Sequence, residues 1–192
     1  MAPILVAYAT TEGHTRKVAE FIAGRLRARG QRAELVDLAT APVPDGSTAY
    51  AAVFVGGSVH QHRHQGAMVH FMKANVGWLG KLPVALFSVS LAAAQTDPDS
   101  RLEARRLADD CAASGGLRPL RTLCVAGALK YTQYDYLKRI AMRWIAHQHG
   151  GDTDTSHDHE YTDWDAVERF VDDFLGAAGL GAGLAVAAAD AR

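Results

Sequence analysis

Cysteine is nearly absent from these 192 residues: only Cys111 and Cys124 occur, too few for a disulfide framework. Both stand in apolar, element-like stretches, which reads as reduced core cysteines of a cytoplasmic chain. No apolar run reaches the length of a bilayer span, so any membrane contact is expected to be peripheral. No basic segment followed by a long apolar stretch precedes the first strand, and no signal peptide is expected. Neither sign of charge dominates, with 20 Lys and Arg against 21 Asp and Glu and a formal net charge of -1. That balance argues against a nucleic-acid partner. Two phosphate-loop patterns are missing as well, Gly-x-Gly-x-x-Gly and Gly-Lys-Ser/Thr, which excludes the best-known dinucleotide and nucleoside-triphosphate cradles. A hydrophobic content of 48% over this length is enough for one domain with its own core.

The chain is organised around its opening stretch. Ile4 to Ala9 is an unbroken apolar run and reads as a buried parallel strand. It gives way to Thr10-Thr11-Glu12-Gly13-His14-Thr15, and then to an amphipathic helix. That helix has Val18, Ala19, Ile22 and Leu26 on one stripe, and Arg16, Lys17, Arg25, Arg27 and Arg29 elsewhere. Such a layout points unpaired amides at the helix N-terminus, where the dipole favours negative charge. Gly13 lets the backbone come close, and Thr10, Thr11 and Thr15 offer hydroxyls; together they suit a phosphate monoester. A plain strand-to-helix turn capped by Thr10 or Thr11 fits the same letters.

Ala33 to Leu38 reads as the second strand, and a connection through Pro42, Pro44 and Gly46 leads to the third, Ala51 to Gly57. A helix with Met68, Phe71, Met72 and Val76 on its core stripe follows, then a fourth strand from Leu82 to Val89. Asp97-Pro98 and Ser100-x-x-Glu103 supply a cap, a proline at the first helical position and a capping box. The helix they open buries Leu102, Leu107, Ala108 and Cys111 and stops at Gly115-Gly116. Leu120 to Leu129 is the fifth strand. The last helix starts at Thr162-x-x-Asp165 and lays Trp164, Val167, Val171, Phe174 and Leu175 on one face.

Almost continuously apolar strands alternating with helices predict a doubly wound α/β fold with a parallel sheet covered on both sides. Five strands at this spacing match the flavodoxin-like order 2-1-3-4-5, in which ligands sit beyond the carboxyl ends of strands one and three. The loops of interest are therefore Thr10–Thr15, Ser58–Gln65 and Ser88–Ala94. The expected domain covers 1–178. Within it Lys130 to Tyr161 forms an insertion far longer than ordinary strand-to-helix connections, and the Gly/Ala-rich tail 179–192 is expected to fray.

In the second loop His60, His62 and His64 alternate. Three imidazoles can hold zinc or copper, but no carboxylate partner is adjacent. Polar contact with the edge of a ring cofactor is the favoured reading, a solvent-facing loop the next, and a metal the last. Asp154, His157, Asp158, His159 and Glu160 fit no metal spacing and read as a solvated turn. The first half of the insertion is helix-like, with Tyr134, Leu137, Ile140, Ala141, Trp144 and Ile145 among Lys138, Arg139 and Arg143. It suits simple packing, a lid, or a partner or membrane-surface face over 134–149. A homo-oligomer is left open.

The first loop resembles the FMN-phosphate loop of flavodoxins, Ser/Thr-x-Thr-Gly-x-Thr, with Glu12 in place of the middle Thr and so expected to point away from the phosphate. The chain as a whole resembles the bacterial flavodoxin-like, menaquinone-dependent protoporphyrinogen IX dehydrogenases. Its most specific tracts are Ala126-Gly127-Ala128-Leu129-Lys130-Tyr131, Tyr134, Gly150-Gly151-Asp152-Thr153-Asp154-Thr155 and Tyr161-Thr162-Asp163-Trp164. Gly56-Gly57-Ser58-Val59 and Phe87-Ser88-Val89-Ser90-Leu91 are similar too. Two positions depart from that family: His60 stands where its members have Arg, and His62 replaces a Gly.

The resemblance implies FMN as cofactor, a porphyrinogen substrate and a quinone acceptor, in haem biosynthesis, at the inner face of the cell membrane. It also implies that the insertion is needed for activity. The residues expected at the phosphate are Thr10, Thr11, Glu12, Gly13, His14 and Thr15. Ser58, Val59 and His60 with Ser88, Val89, Ser90, Leu91 and Ala92 are expected along the ring, and Gly127, Ala128 and Tyr131 approach from the fifth strand. His60 is the candidate proton shuttle, since imidazole titrates near neutrality. Neither ring loop holds Trp, Tyr or Phe, whereas flavodoxins that only carry electrons usually sandwich the flavin between aromatics. Aliphatic side chains, histidine, or Tyr131, Tyr134 and Tyr136 from the insertion are left to cover it. An electron-carrying flavodoxin or a general quinone reductase is the competing function, and a flavin-free interaction module the third. Carriers are usually strongly acidic, which a net charge of -1 is not.

Overall fold

Every residue of β1 (Ile4–Ala9) is buried, as a strand with helices on both faces requires. The computed structural model of the chain describes residues 2–42, 44–46, 48–95, 97–129 and 159–181. In chain order the next strands are β2 (Ala33–Asp37), β3 (Ala52–His60), the short β4 (Arg63–His64), β5 (Val84–Ser90) and β6 (Arg121–Ala126). β1 lies between β2 and β3, with Ile4 level with Ala33 on one side and Ala52 on the other, and β5 and β6 extend the sheet in parallel. The order β2-β1-β3-β5-β6 is the expected doubly wound one, with β4 folded back antiparallel on the end of β3.

Two cores result, one on each face. Strand alternation sends Phe54 and Phe87 towards α1 (His14–Ala28) and the final helix, where they meet Val18, Ile22 and Leu26. Val53, Val55 and Leu86 go to the other face, against Met68, Phe71 and Met72 of α2 (Gly66–Leu79) and Ala108 and Cys111 of α3 (Pro98–Ser114). The final helix, α4 (Trp164–Ala177), buries Val167, Phe170, Val171, Phe174 and Leu175, while Trp164 packs half-buried on Phe21 with centroids 4.8 Å apart. Both cysteines are free thiols, and burial raises them, Cys111 to about 11, which suits packing rather than redox work.

The structure corrects several local expectations. Val76 and Leu102 are exposed at 41% and 49%. In α2 the stripe continues through Asn75 and Leu79 instead, and the buried Asn75 amide is satisfied by donating to Phe71 O and accepting from Trp78 Nε1. In α3 the sheet-facing positions are small, Ala104, Ala108 and Ala112 beside Cys111, which leaves Leu102 on the outer face. Asp97 caps α3 through its bond from Ser100 N (2.8 Å), with Pro98 at the first helical position, but Glu103 does not return to complete a capping box. At α4 the cap is Asp163, bonded from Ala166 N, not Thr162.

The fifth parallel strand breaks at Gly127, whose amide donates to Ser90 O (3.0 Å). Beyond it β7 (Ala128–Leu129) leaves the sheet and pairs antiparallel with β8 (His159–Glu160), so the insertion leaves and rejoins the domain through a two-stranded neck. Tyr131, Tyr134, Tyr136 and the rest of 130–158 lie outside the described residues, as does 182–192. After α4, Leu180 still packs on the first core and accepts a bond from Gln31 Nε2. Among the described residues no helix is long and apolar enough to cross a membrane.

Candidate cofactor cleft

Beyond the carboxyl ends of β1, β3 and β5 lies a cleft of about 340 Å³. One end is the β1–α1 loop. Thr10 Oγ1 accepts from Gly13 N (3.0 Å) and closes the turn from within, so it does not cap the helix. Gly13 sits at φ 85°, a left-handed conformation that favours glycine, and precedes α1 without any side-chain cap. The first-turn amides therefore point past Gly13 without intrahelical partners, and no acidic residue stands in that turn. Thr15 adds a second unmet group. Its side chain is buried at 1% exposure, it lines the cleft, and its Oγ1 has no hydrogen-bond partner. Uncapped amides beside a buried, unpartnered hydroxyl are what a phosphate dianion satisfies, so the donor set fits the phosphate monoester expected there.

His14, the first residue of α1, also lines the cleft and is tied across the molecule. Thr162 gives its one hydroxyl proton to Ala126 O (2.8 Å), so His14 Nε2 is the donor in its 2.7 Å bond to Thr162 Oγ1. That relay holds the β1–α1 loop to the end of β6 and the start of α4.

The opposite wall is the β3–β4 hairpin. β3 runs three residues beyond its expected end because β4 pairs with it, Val59 opposite His64 and His60 opposite Arg63. The two turn residues, Gln61 (φ 48°) and His62 (φ 61°), both take left-handed backbone, the φ pattern of a type I′ turn. Without glycine that conformation costs about 1–2 kcal/mol per residue. The three histidines of this loop part company. His60 Nε2 lies 4.0 Å from Glu12 Oε1, His62 Nδ1 lies 2.7 Å from Glu103 Oε1 of α3, and His64 Nε2 bonds Ser88 Oγ at 2.8 Å. Burial pushes the His64 imidazole down to about 4, so it stays neutral at pH 7. Among the described residues no group of three His, Cys, Asp or Glu is placed to hold a metal.

Gln65 fastens the two walls together. Its amide Nε2 donates to Thr11 Oγ1 (2.6 Å) and to Ser58 Oγ (3.0 Å), and its backbone amide donates to Ser58 O. The ring end of the cleft is aliphatic, formed by Val59, Val89, Leu91, Ala92 and Leu107, with Gly127 at the edge. No Phe, Tyr or Trp of the described residues lines it.

Of the residues expected from the sequence, Thr10, Glu12, His14, Thr15, Ser58, Val59, His60, Val89, Ser90, Leu91, Ala92 and Gly127 line the cleft. Three do not. Thr11 is turned to Gln65, Gly13 contributes conformation, and Ser88 is buried behind the wall against His64. Ala128 has left the sheet for the β7–β8 pair. Glu12 lines the cleft, and its carboxylate lies 4.0 Å from the His60 imidazole of the facing wall. His62 of the histidine loop lines the cleft, and Gln61, Glu103 and Leu107 line it without having been expected there. Glu103 and Leu107, four apart on one helix face, carried a local signal, but nothing local says which loop that face meets.

The family model described as flavodoxin domain matches residues 5–156. The protoporphyrinogen IX dehydrogenase [quinone] of Escherichia coli K12 is 30% identical over 169 residues, 86% of this chain and 91% of that one. A protein of the same name from Leishmania major is 31% identical over 178 residues, 88% of this chain and 73% of its own. Among solved structures, a flavodoxin from the domain Archaea superposes with a TM-score of 0.53 at 14% identity, over 92% of this chain and 99% of that one.

Proposed function

Since the chain belongs to the flavodoxin-domain family, we propose that this FMN-dependent oxidoreductase oxidises protoporphyrinogen IX to protoporphyrin IX with a quinone acceptor, menaquinone, as a step of haem biosynthesis. The observation that carries the reading is the Thr15 end of the cleft joined to an aliphatic ring end with no aromatic cover among the described residues. An electron carrier needs only a flavin edge at the surface. A cleft whose ring end no described aromatic covers leaves a face for an apolar macrocycle.

FMN held there would supply the electron transfer between substrate and quinone, while the protein supplies position and electrostatics. The amides after Gly13, with Thr15 and Thr10, hold the phosphate. Ser58 to His60 and Val89 to Ala92 run along the ring, and Val59, Leu91 and Leu107 keep water from it. His60, whose Nε2 lies 4.0 Å from Glu12 Oε1, receives protons released by the substrate. Six electrons and six protons leave each porphyrinogen, and three quinones take up two of each. The site lies in the cytoplasm, with a peripheral approach to the membrane where the quinone resides.

The test is an anaerobic assay of the FMN-loaded chain with protoporphyrinogen IX and a menaquinone analogue, followed by porphyrin fluorescence. Turnover that depends on the quinone is expected. Quinone reduction by other donors without any porphyrin formed would leave only a general reductase. In the same assay His60→Ala should slow turnover while leaving FMN bound; unchanged turnover removes the proton-shuttle role. Gln65→Ala cuts the ties to Thr11 and Ser58, two hydrogen bonds whose net worth is about 1 kcal/mol, and should raise the FMN Kd about fivefold.

A further inference from the structure

The hairpin rim of the cleft carries one more cation than its carboxylates match. Two carboxylates line the cleft, and each has an imidazole against it, Glu12 with His60 at 4.0 Å and Glu103 with His62 at 2.7 Å. Arg63 is different: it is exposed and makes no hydrogen bond or ion pair with a described residue. The ladder places it directly opposite His60. Side chains of residues opposed across an antiparallel pair share a face and stand about 5 Å apart at Cβ. His60 lines the cleft, so Arg63 stands on the cleft face of the hairpin, one strand further out. The tight turn through Gln61 and His62 brings position 63 level with position 60, and at its tip His62 Nδ1 lies 2.7 Å from Glu103 Oε1. A guanidinium is permanently charged and its planar fork matches a carboxylate. Among the described residues no carboxylate meets it.

We propose that Arg63 determines specificity for a carboxylate-bearing substrate, taking that carboxylate at the rim while the apolar body lies against the aliphatic wall. The inference rests on the porphyrinogen reading, whose substrate carries two propionates on an otherwise apolar macrocycle. It assigns one of them to Arg63.

The experiment titrates the FMN-loaded full chain with protoporphyrin IX and, in the same detergent, with its dimethyl ester, for wild type and Arg63→Gln, and measures KM and kcat for the porphyrinogen. Arg63→Gln should weaken binding of the diacid about tenfold, as loss of one charge-assisted hydrogen bond does, and leave binding of the ester and of FMN at wild-type values. The larger part of the kinetic loss should fall in KM. Arg63→Lys should recover only part of the loss, because an ammonium cannot form the paired bonds. Equal diacid binding by wild type and Arg63→Gln, or an equal loss for diacid and ester, overturns the assignment while wild-type turnover leaves the porphyrinogen reading standing. A wild-type chain that binds neither porphyrin and turns over no porphyrinogen overturns both.

Discussion

Thr15→Val is expected to weaken FMN binding by roughly 10- to 100-fold while leaving the apoprotein as stable as wild type or more so. Valine keeps the shape of threonine and removes only the hydroxyl. In the described structure that hydroxyl is buried and unpartnered, a state that costs about 1–3 kcal/mol. Deleting it should therefore relieve the apoprotein. With FMN present the sign reverses, because the same hydroxyl is a charge-assisted donor to the phosphate, worth about 1.5–3 kcal/mol. Flavin-fluorescence titration gives the Kd, and thermal melting of the apoprotein gives the stability. Riboflavin, which has no phosphate, supplies the control: its weaker binding should not change in the variant. A drop in riboflavin affinity equal to that for FMN would place Thr15 at the ring or in the scaffold, and the phosphate site would have to move.

Acid should loosen the wild-type fold through His64, and His64→Gln should remove that sensitivity. Burial against Ser88 lowers the imidazole from its ordinary 6.5 to about 4 in the folded chain. Between those values the unfolded chain binds a proton that the folded chain refuses. The stability contributed by keeping His64 neutral is thus present in full above pH 6.5 and is lost as pH falls towards 4, by up to about 3 kcal/mol. Glutamine still offers Ser88 a donor and an acceptor but does not titrate. Urea midpoints at pH 7.5, 5.5 and 4.5 should diverge, wild type falling faster than the variant. Other groups that titrate in acid, Asp97 among them, are common to both proteins and drop out of the difference. Parallel curves would mean that His64 is free to protonate in the fold. Because His64 sits opposite Val59, its protonation should also release FMN more readily at low pH.

Much of the fold was legible because its signals are local. The unbroken apolar run at Ile4 to Ala9 is the buried strand that its composition suggested. The stripes of α1 and α4 followed from helical period. Errors came where two local rules competed. Val76 and Leu102 have the right spacing for a core stripe, yet the helix faces were settled by Leu79 and by the alanines of α3, which let the helix approach the sheet. Ser100 and Glu103 have capping-box spacing, but Asp97 sits one residue before Pro98 and caps first. Glu103 was then free to meet His62, 41 positions earlier in the chain.

What the sequence determined by itself was the alternation of strands and helices, hence the winding of the sheet, since each element is written in a contiguous stretch of residues. Tertiary structure alone decided the rest of the cleft. It parted the three histidines among Glu12, Glu103 and Ser88, turned Thr11 away to Gln65, left the Thr15 hydroxyl without a partner among the described residues, and brought Leu107 to the cleft. Those outcomes depend on which elements the crossovers set side by side and how deeply they bury one another, and neither quantity has a local pattern of residues to announce it.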